Sequence, residues 1–301
     1  MILPVLIVAL AVLTLVFIGF WLLEARRPDA PDRGAPTPEG VAVGFFANFF
    51  DALGIGSFAT STTYFRLRKL VRDELIPGSL NVGYALPTIT QAFIGIAVIE
   101  VDPKTLVLMI AAAVIGSWFG AGVVSRMPRR AIQVGMGVAL LVAAGFFLAR
   151  LLQWMPSADT GTLDLRGMKL GLGLAGSFFL GTIMPLGIGY YAPCMILVSM
   201  LGMNPRASFP IMMGACAFLM PVASMNFIRA RRYSLKTTIG MALGGVFGSA
   251  LALIVVKEMN LNNVRWLVTI VVIYTGVSLL RTAAKEKAEA VRASQGAPAA
   301  E

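Results

Sequence analysis

Two glycine pairs, each set in an apolar stretch and followed by polar side chains, are the residues best suited to bind a ligand. The first is Gly54-Ile55-Gly56, and the second, 133 residues later, is Gly187-Ile188-Gly189. Glycines interrupt a helix, and a helix that restarts after the interruption presents free N–H groups and the positive end of its dipole. Such ends attract anions without a buried Lys or Arg. The pattern therefore predicts two anion-binding helix ends.

Hydroxyl, amide, aromatic and thiol groups next to the two breaks complete the candidate site. The residues predicted to contact a substrate are Gly54, Gly56, Ser57, Phe58, Thr60, Ser61, Asn81, Gly187, Gly189, Tyr190, Tyr191 and Cys194. A single Ser or Thr in a helix commonly bonds to its own backbone, so the clustering carries the prediction. Cys194 and Cys216 are typical of packing residues, although a thiol is also a soft group that suits a sulfur-containing substrate.

Asp51 is the single acid predicted at membrane depth, since Glu100 and Asp102 fall at the end of a span. Carboxyl groups inside a membrane are costly and are commonly functional. Two interpretations stay open. Asp51 carries a coupling proton or binds a cation, or it caps a helix at the break or reaches the inner surface. Its counterpart in the second repeat is Met184, so its role is not duplicated.

The composition indicates an integral membrane protein and argues against most enzyme chemistry. Of the 301 residues 57% are hydrophobic and 13% are charged, against about a quarter charged in soluble domains. The sequence has no histidine, and its two cysteines cannot form a four-thiolate centre. We therefore predict no enzyme activity, no metal and no cofactor. In a membrane protein the net charge of +10 reports topology, so no nucleic-acid partner is predicted.

Apolar stretches and a proline-rich interruption divide the chain into six parts. These are an N-terminal transmembrane helix (1–23), a Pro-rich connector (24–39), a first transport repeat (40–154), an extracytoplasmic linker (155–166), a second transport repeat (167–281) and a cytoplasmic tail (282–301). Within the repeats, six stretches of 17 to 25 residues have the length that crosses about 30 Å of hydrocarbon. The broken stretches 41–65 and 168–201 differ from them.

The two repeats align with each other. At an offset of 133, seven of the 15 positions from 45 to 59 are identical, including both glycine pairs and Phe45 with Phe178. At an offset of 128, the glycines and phenylalanine of one span match those of another. The matched residues are Gly116, Phe119 and Gly120 with Gly244, Phe247 and Gly248. These four glycines are predicted to allow close helix packing.

The distribution of Lys and Arg favours broken segments that turn back over broken segments that cross. With both segments re-entrant and a cytoplasmic C-terminus, 18 of the 25 cations lie inside; with both crossing, 15 do. A hairpin followed by three crossings inverts the next repeat. The predicted fold is an all-α integral membrane protein with one N-terminal helix and two inverted-topology repeats, each a re-entrant broken helix hairpin followed by three transmembrane helices. This layout is typical of secondary transporters.

These features resemble the sulfite exporter TauE/SafE family of membrane permeases. Each repeat of about 110 residues has an early Gly-hydrophobic-Gly break, then a polar span and a Gly-rich span (116–122 and 244–249). The resemblance covers 40–281 and leaves the first helix and connector outside. Family breaks read Gly-x-Gly-Gly-Gly, whereas Ser57-Phe58 and Tyr190-Tyr191 follow the breaks here, which changes what fits.

The resemblance implies a secondary transporter, by preference an exporter, of a small sulfur-containing anion such as sulfite or an organosulfonate. It would lie in a cell membrane as a multi-pass protein, in bacteria the inner membrane, with the substrate anion and lipid as its partners and an oligomeric state that the sequence leaves open. Three alternatives remain: a proton-coupled uptake permease for a similar organic anion, a channel, and a non-transport membrane assembly factor. The chain has no phosphate-binding Gly-x-x-x-x-Gly-Lys-Ser/Thr loop, so it has no energy domain of its own.

Overall fold

In the computed structural model, all secondary structure is helical within residues 2–29, 32–53, 56–95, 101–154, 162–187, 189–204, 207–255 and 262–294, which are the residues the structure describes. The helices are α1 (Ile2–Ala25), α2 (Pro38–Ala52), α3 (Phe58–Arg68), α4 (Ile76–Gly95), α5 (Pro103–Val124), α6 (Arg129–Leu151), α7 (Gly167–Ile183), α8 (Tyr191–Met200), α9 (Ser208–Arg229), α10 (Leu235–Val255) and α11 (Asn262–Ser294). Short 3₁₀ turns lie at Asp73–Leu75 and Met184–Leu186.

Among the described helices, six are long and apolar enough to cross a membrane. They are α1, α5, α6, α7 with its following turn, α9 and α10. The prediction of an all-α membrane protein is thereby confirmed. By contrast α2, α3 and α8 have 15, 11 and 10 residues. At 1.5 Å per residue, helices of that length are too short to cross about 30 Å of hydrocarbon alone.

Local signals set where two of the helices begin. The Thr37 side chain accepts a hydrogen bond from the Gly40 N–H at 3.1 Å, with a proline at the first position of α2. Asp102 does the same for α5, accepting from the Thr105 N–H at 2.8 Å. This backbone hydrogen bond holds the pKa of Asp102 below its usual value. Both helices therefore start at a side-chain cap followed by proline, a common N-terminal signal.

Helix α2 packs against α10, and no side chain separates the two backbones. A Cβ on Gly44 would overlap the Met241 carbonyl, and one on Gly248 would overlap the Phe45 carbonyl. Contact positions increase together along both helices, so α2 and α10 run parallel. The packing role predicted for Gly248 is confirmed, and Gly244 has the same role against Val41.

Helices α5 and α7 form a second parallel pair of the same kind. A Cβ on Gly120 would overlap the Thr182 carbonyl, one on Gly181 the Ala113 carbonyl, and one on Gly116 the Phe178 carbonyl. The packing role predicted for Gly116 and Gly120 is likewise confirmed. Each helix that precedes a break is thus packed on a helix from the other half of the chain.

The two pairs correct the sequence alignment of α2 with α7. Gly248 contacts Phe45, and its counterpart Gly120 contacts Thr182, which lies four residues beyond the aligned Phe178. The alignment at an offset of 133 holds at the breaks, but for these helices it is wrong by four residues. The reason is that α2 continues one turn further past its glycine contacts than α7 does.

One end of the bundle, here called the connector end, gathers the segments that link α1 to α2, α3 to α4 and α9 to α10. Asp29 forms an ion pair with Arg231, and Asp32 with Lys236 at 2.9 Å. Partial burial raises the pKa of Asp32, but the hydrogen bond from Ser234 and the pair with Lys236 bring it below its usual value. The connector is therefore held on the loop before α10.

The same end also joins α3, α6 and α11 around one carboxylate. Asp73 pairs with Arg66 at 2.5 Å and accepts a hydrogen bond from Gln133 at 3.0 Å. Arg66 in turn donates to the Thr282 hydroxyl at 3.2 Å. Because Thr282 lies in α11, the ends of both repeats meet at the connector end.

The opposite end of the bundle gathers the segments before α5, before α7 and after α8. The Asp102 N–H donates to the Leu163 carbonyl at 3.0 Å, and the Asn204 N–H donates to the Thr162 carbonyl at 3.0 Å. The Thr162 hydroxyl donates to the Gly202 carbonyl at 2.7 Å. The chain thus enters α7 and leaves α8 at the same end.

Candidate functional site

At the first break α2 ends at Ala52 and α3 begins at Phe58. Gly54 and Ile55 lie outside the described residues. Gly56 has a φ of +89°, in the left-handed region where an L side chain is strained. A Cα without a side chain is therefore required at this point of the break.

The second break begins with the 3₁₀ turn and ends where α8 starts at Tyr191. Gly187 and Gly189 have φ values of +107° and +75°. Ile188 lies outside the described residues. The prediction that both glycine pairs interrupt a helix, which then restarts near Ser57 and Tyr190, agrees with the elements on either side.

Asp51 is buried at the end of α2 and points at the start of α3. Its Oδ1 accepts a hydrogen bond from the Ser57 N–H at 2.7 Å, and its Oδ2 accepts one from Gln91 Nε2 at 2.9 Å. Both donors are neutral. The capping interpretation therefore agrees with its contacts, and the carboxylate occupies an N–H group that the sequence had offered to an anion.

Gln91 connects the two breaks through its side-chain amide. Its Oε1 accepts a hydrogen bond from the Tyr191 hydroxyl at 2.5 Å, while its Nε2 also donates to the Ser249 hydroxyl at 3.2 Å. A continuous chain of buried hydrogen bonds thus runs from Asp51 at the first break to Tyr191 at the second. Buried polar groups of this kind are worth most when every member is paired.

A second set of contacts brings α3 and α4 up to the second break. Asn81 Nδ2 donates to the Pro77 carbonyl at 2.8 Å and makes a longer contact of 3.5 Å with the Pro185 carbonyl. The Thr62 hydroxyl oxygen lies 4.0 Å from where a Cβ on Gly187 would be. Thr62 Oγ1 and Asn81 Oδ1 are buried and have no protein partner. Such unpaired groups beside a strained break mark a place where a ligand can bind.

Two tyrosines fix the remaining predicted residues. The Ser61 hydroxyl lies 2.5 Å from the Tyr84 hydroxyl, and the Phe58 ring lies 6.2 Å from the Tyr84 ring. The Tyr190 hydroxyl donates to Ser177 at 3.2 Å. The aromatic side chains that follow the breaks are therefore buried and held in place, and they reduce the space beside the glycines.

Two of the predicted residues take part in local interactions only. The Thr60 hydroxyl donates to the Ser57 carbonyl in its own helix at 2.9 Å. Cys194 is fully buried in the apolar core, and it and Cys216 are free thiols. The packing interpretation of the cysteines fits this environment.

Sequence reasoning committed to Asn81 on α4 and passed over its neighbours. Asn81, Tyr84, Thr88 and Gln91 are all buried, and they follow the i, i+3, i+7, i+10 spacing of one helix face. That periodicity was the available signal. A polar face on a buried helix needs partners, and here the partners are the two breaks.

The fold and these buried polar groups define a multi-pass membrane protein. Residues 1–147 match the family model described as Sulfite exporter TauE/SafE, which confirms the family predicted from the residues for this half of the chain. The match includes α1, so the expectation that the first helix lies outside the family was wrong. It ends within α6 and does not extend to the second break. Searches of curated proteins and of solved structures found no match. The family is one of membrane transporters, which fits a small anionic substrate and a lipid environment.

Proposed function

We propose that this protein is a secondary transporter that exports a small sulfur-containing anion, bound between the two breaks. The observation that carries the proposal is the convergence of both breaks on the polar face of α4, through Gln91 to Asp51 and Tyr191 and through Asn81 to Pro185. Residues from the two halves of the chain thus meet at one buried polar place, as a site between two repeats requires.

The proposed architecture is a pair of inverted repeats, each opening with a re-entrant hairpin. Its support is the exchange of partners, in which α2 packs on α10 while α7 packs on α5. The hairpins are supported at their open ends. Glu39 at the start of α2 accepts from Tyr64 and Arg68 at the end of α3, at 2.7 and 3.0 Å. Lys169 near the start of α7 lies beside Gly202 after α8.

We propose that the connector end faces the cytoplasm. The Lys and Arg residues that join its loops belong to the 18 cations assigned to the inside, and the opposite end carries few. The N-terminus of α1 then lies outside. Cysteine labelling on a background without Cys194 and Cys216 tests this: a residue at position 160 should react from outside, and a reaction confined to the cytoplasm would exclude the inverted arrangement.

Anion binding is proposed at the second break. The start of α8 at Tyr190 has no side-chain cap, whereas the start of α3 is already occupied by Asp51. The unpaired Thr62 hydroxyl adds a second donor beside Gly187. Backbone N–H groups at a helix start and a hydroxyl suit the oxygens of a sulfite or sulfonate group.

Export follows from the membrane potential in this proposal. An anion leaving a cell with a negative interior gains about 2.3 kcal/mol per unit charge for every 100 mV. No coupling ion is then required. The single acid that touches the site, Asp51, has only neutral hydrogen-bond donors and is free of any direct requirement for a cation.

A second candidate is proton-coupled uptake, and the position of Asp51 favours it. Protonation of this carboxyl would weaken its hold on the Ser57 N–H and would make the start of α3 available to an anion. Proton binding and anion binding would then be linked.

The experiment that tests the proposal is counterflow in proteoliposomes with labelled sulfite, organosulfonates and carboxylates. We expect exchange of a sulfur oxyanion driven by voltage and unaffected by a pH gradient. Uptake concentrated by an inward proton gradient would support the second candidate. Exchange of none of these anions by folded protein would exclude both.

A further inference from the structure

A groove at the connector end, between the ends of α5 and α9, takes no part in the site between the breaks. It encloses about 720 Å³ and is lined by Trp118, Phe119, Val123, Arg126, Asn226 and Arg229 among others. Asn226 closes its floor, donating to the Trp118 carbonyl at 3.3 Å. The candidate spans of both helices end here, at Val124 and Arg229. The groove therefore lies where hydrocarbon meets water.

The mouth of the groove carries two arginines without a carboxylate. Arg126 and Arg229 are both exposed, and within the described part of the chain neither forms an ion pair. The guanidinium carbon of Arg229 lies 5.4 Å from the centre of the Phe20 ring in α1. This cation–π contact holds the guanidinium at the membrane surface. Two cations are thus presented with their hydrogen-bonding capacity free.

The wall of the groove is apolar and faces outward. Trp118, Phe119 and Val123 are 56%, 58% and 59% exposed, one to two helical turns deeper than Arg126. Side chains of this kind on a membrane span contact acyl chains. A free inorganic anion would satisfy the arginines but would leave this wall uncovered.

We propose that the groove binds one anionic phospholipid, with its phosphate on Arg126 and Arg229 and an acyl chain along Trp118, Phe119 and Val123. The argument is charge complementarity at the mouth combined with apolar surface at membrane depth, an arrangement that only a lipid matches along its whole length. The site is distinct from the break site and does not depend on what the protein transports.

Native mass spectrometry of the detergent-solubilised protein tests the proposal. The full chain is exposed to equal amounts of phosphatidylglycerol and phosphatidylcholine, and the ratio of bound lipids is measured. We expect phosphatidylglycerol to be retained preferentially. The double variant Arg126→Gln/Arg229→Gln should reduce that preference by roughly tenfold or more, given the contribution of each arginine near an anionic headgroup.

Three comparisons make the result decisive. Arg130→Gln removes an exposed arginine one turn away and should leave the preference unchanged; an equal loss in this variant would overturn the proposal. Trp118→Ala should reduce the retention of both lipids. Inorganic phosphate added in millimolar excess should not displace the lipid. Equal binding of the two lipids by the unmutated protein, or displacement by phosphate alone, would likewise refute the site, whatever the transport assay shows.

Discussion

The first and second breaks start from the same element, a helix packed backbone to backbone on a parallel partner, and differ in the turn that follows. From the contact at Phe45 to Gly56 the first has 11 residues, and from the equivalent contact at Thr182 to Gly189 the second has seven. The additional turn of α2 carries Asp51. The second break has a 3₁₀ turn instead, with buried apolar residues. One turn of helix thus separates a break that supplies its own carboxylate from one that does not.

This difference gives the two helix starts different properties. At the first, Asp51 fills the place that an anion would take. At the second, the helix start has no side-chain cap, and the nearest polar groups belong to α3 and α4. An approximate repeat can therefore provide one open and one occupied end for the same kind of ligand, and the four predictions below test that asymmetry.

The largest effect is expected from leucine at the break glycines. Gly56→Leu and Gly189→Leu should each reduce transport at least about tenfold, because a side chain at a left-handed φ costs about 1–3 kcal/mol and also fills the break. The matched control is Gly171→Leu in α7, where an added Cβ meets nothing. The measurement is counterflow with protein shown by gel filtration to be folded. Full activity in both break variants would remove the breaks from the site.

Asp51 should show the asymmetry next. Asp51→Ala removes the acceptor of two buried donors, Ser57 N–H and Gln91, and should lower the free energy of unfolding by about 2–3 kcal/mol. Asp51→Asn keeps one acceptor oxygen and should cost less. In an exporter this second variant should retain voltage-driven flux, whereas in a proton-coupled importer it should lose the response to a pH gradient.

A smaller effect is expected from the tyrosines. Tyr191→Phe removes the hydrogen bond to Gln91 that connects the breaks, and Tyr190→Phe removes one to Ser177 within the second half. Each costs about 1 kcal/mol of stability. The Tyr191 variant should in addition change the apparent affinity for the transported anion by the larger factor. Equal changes in affinity would mean that the connection between the breaks does not matter for binding.

The smallest effect concerns the open ends of the hairpins. The first is closed by side chains, and the hydrogen bond from Tyr64, followed by the contact with Arg68, lowers the pKa of Glu39. A lowered pKa stabilises the closed end above the unfolded value and loses this effect as pH falls through the folded value. Hydrogen-exchange protection at the start of α2 should therefore decrease on acidification or in Glu39→Gln. Protection near Thr162, where a backbone hydrogen bond closes the second hairpin, should not follow.

The sequence predicted the helical class, both breaks, the packing glycines and most of the polar residues, because these depend on hydropathy and on local backbone chemistry. It did not predict the additional turn of α2. Matching Phe45 to Phe178 maximised identity, but packing follows glycines, and Gly44 corresponds to Gly181. Nor could it show that Gln91 joins Asp51 to Tyr191, since a hydrogen bond between residues 100 positions apart depends on the tertiary fold.

The exchange of partners between the halves also determines the order in which the protein can be assembled. Val41 in α2 contacts Gly244 in α10, about 200 residues later in the chain. At roughly 5–20 residues per second, a ribosome needs about 10–40 seconds to synthesise that interval. During this time the glycine face of α2 has no partner, and a 15-residue helix cannot cross the bilayer by itself. The first hairpin must therefore be held by lipid or by the insertion machinery until α10 arrives, so biogenesis of this fold is completed from its C-terminal half.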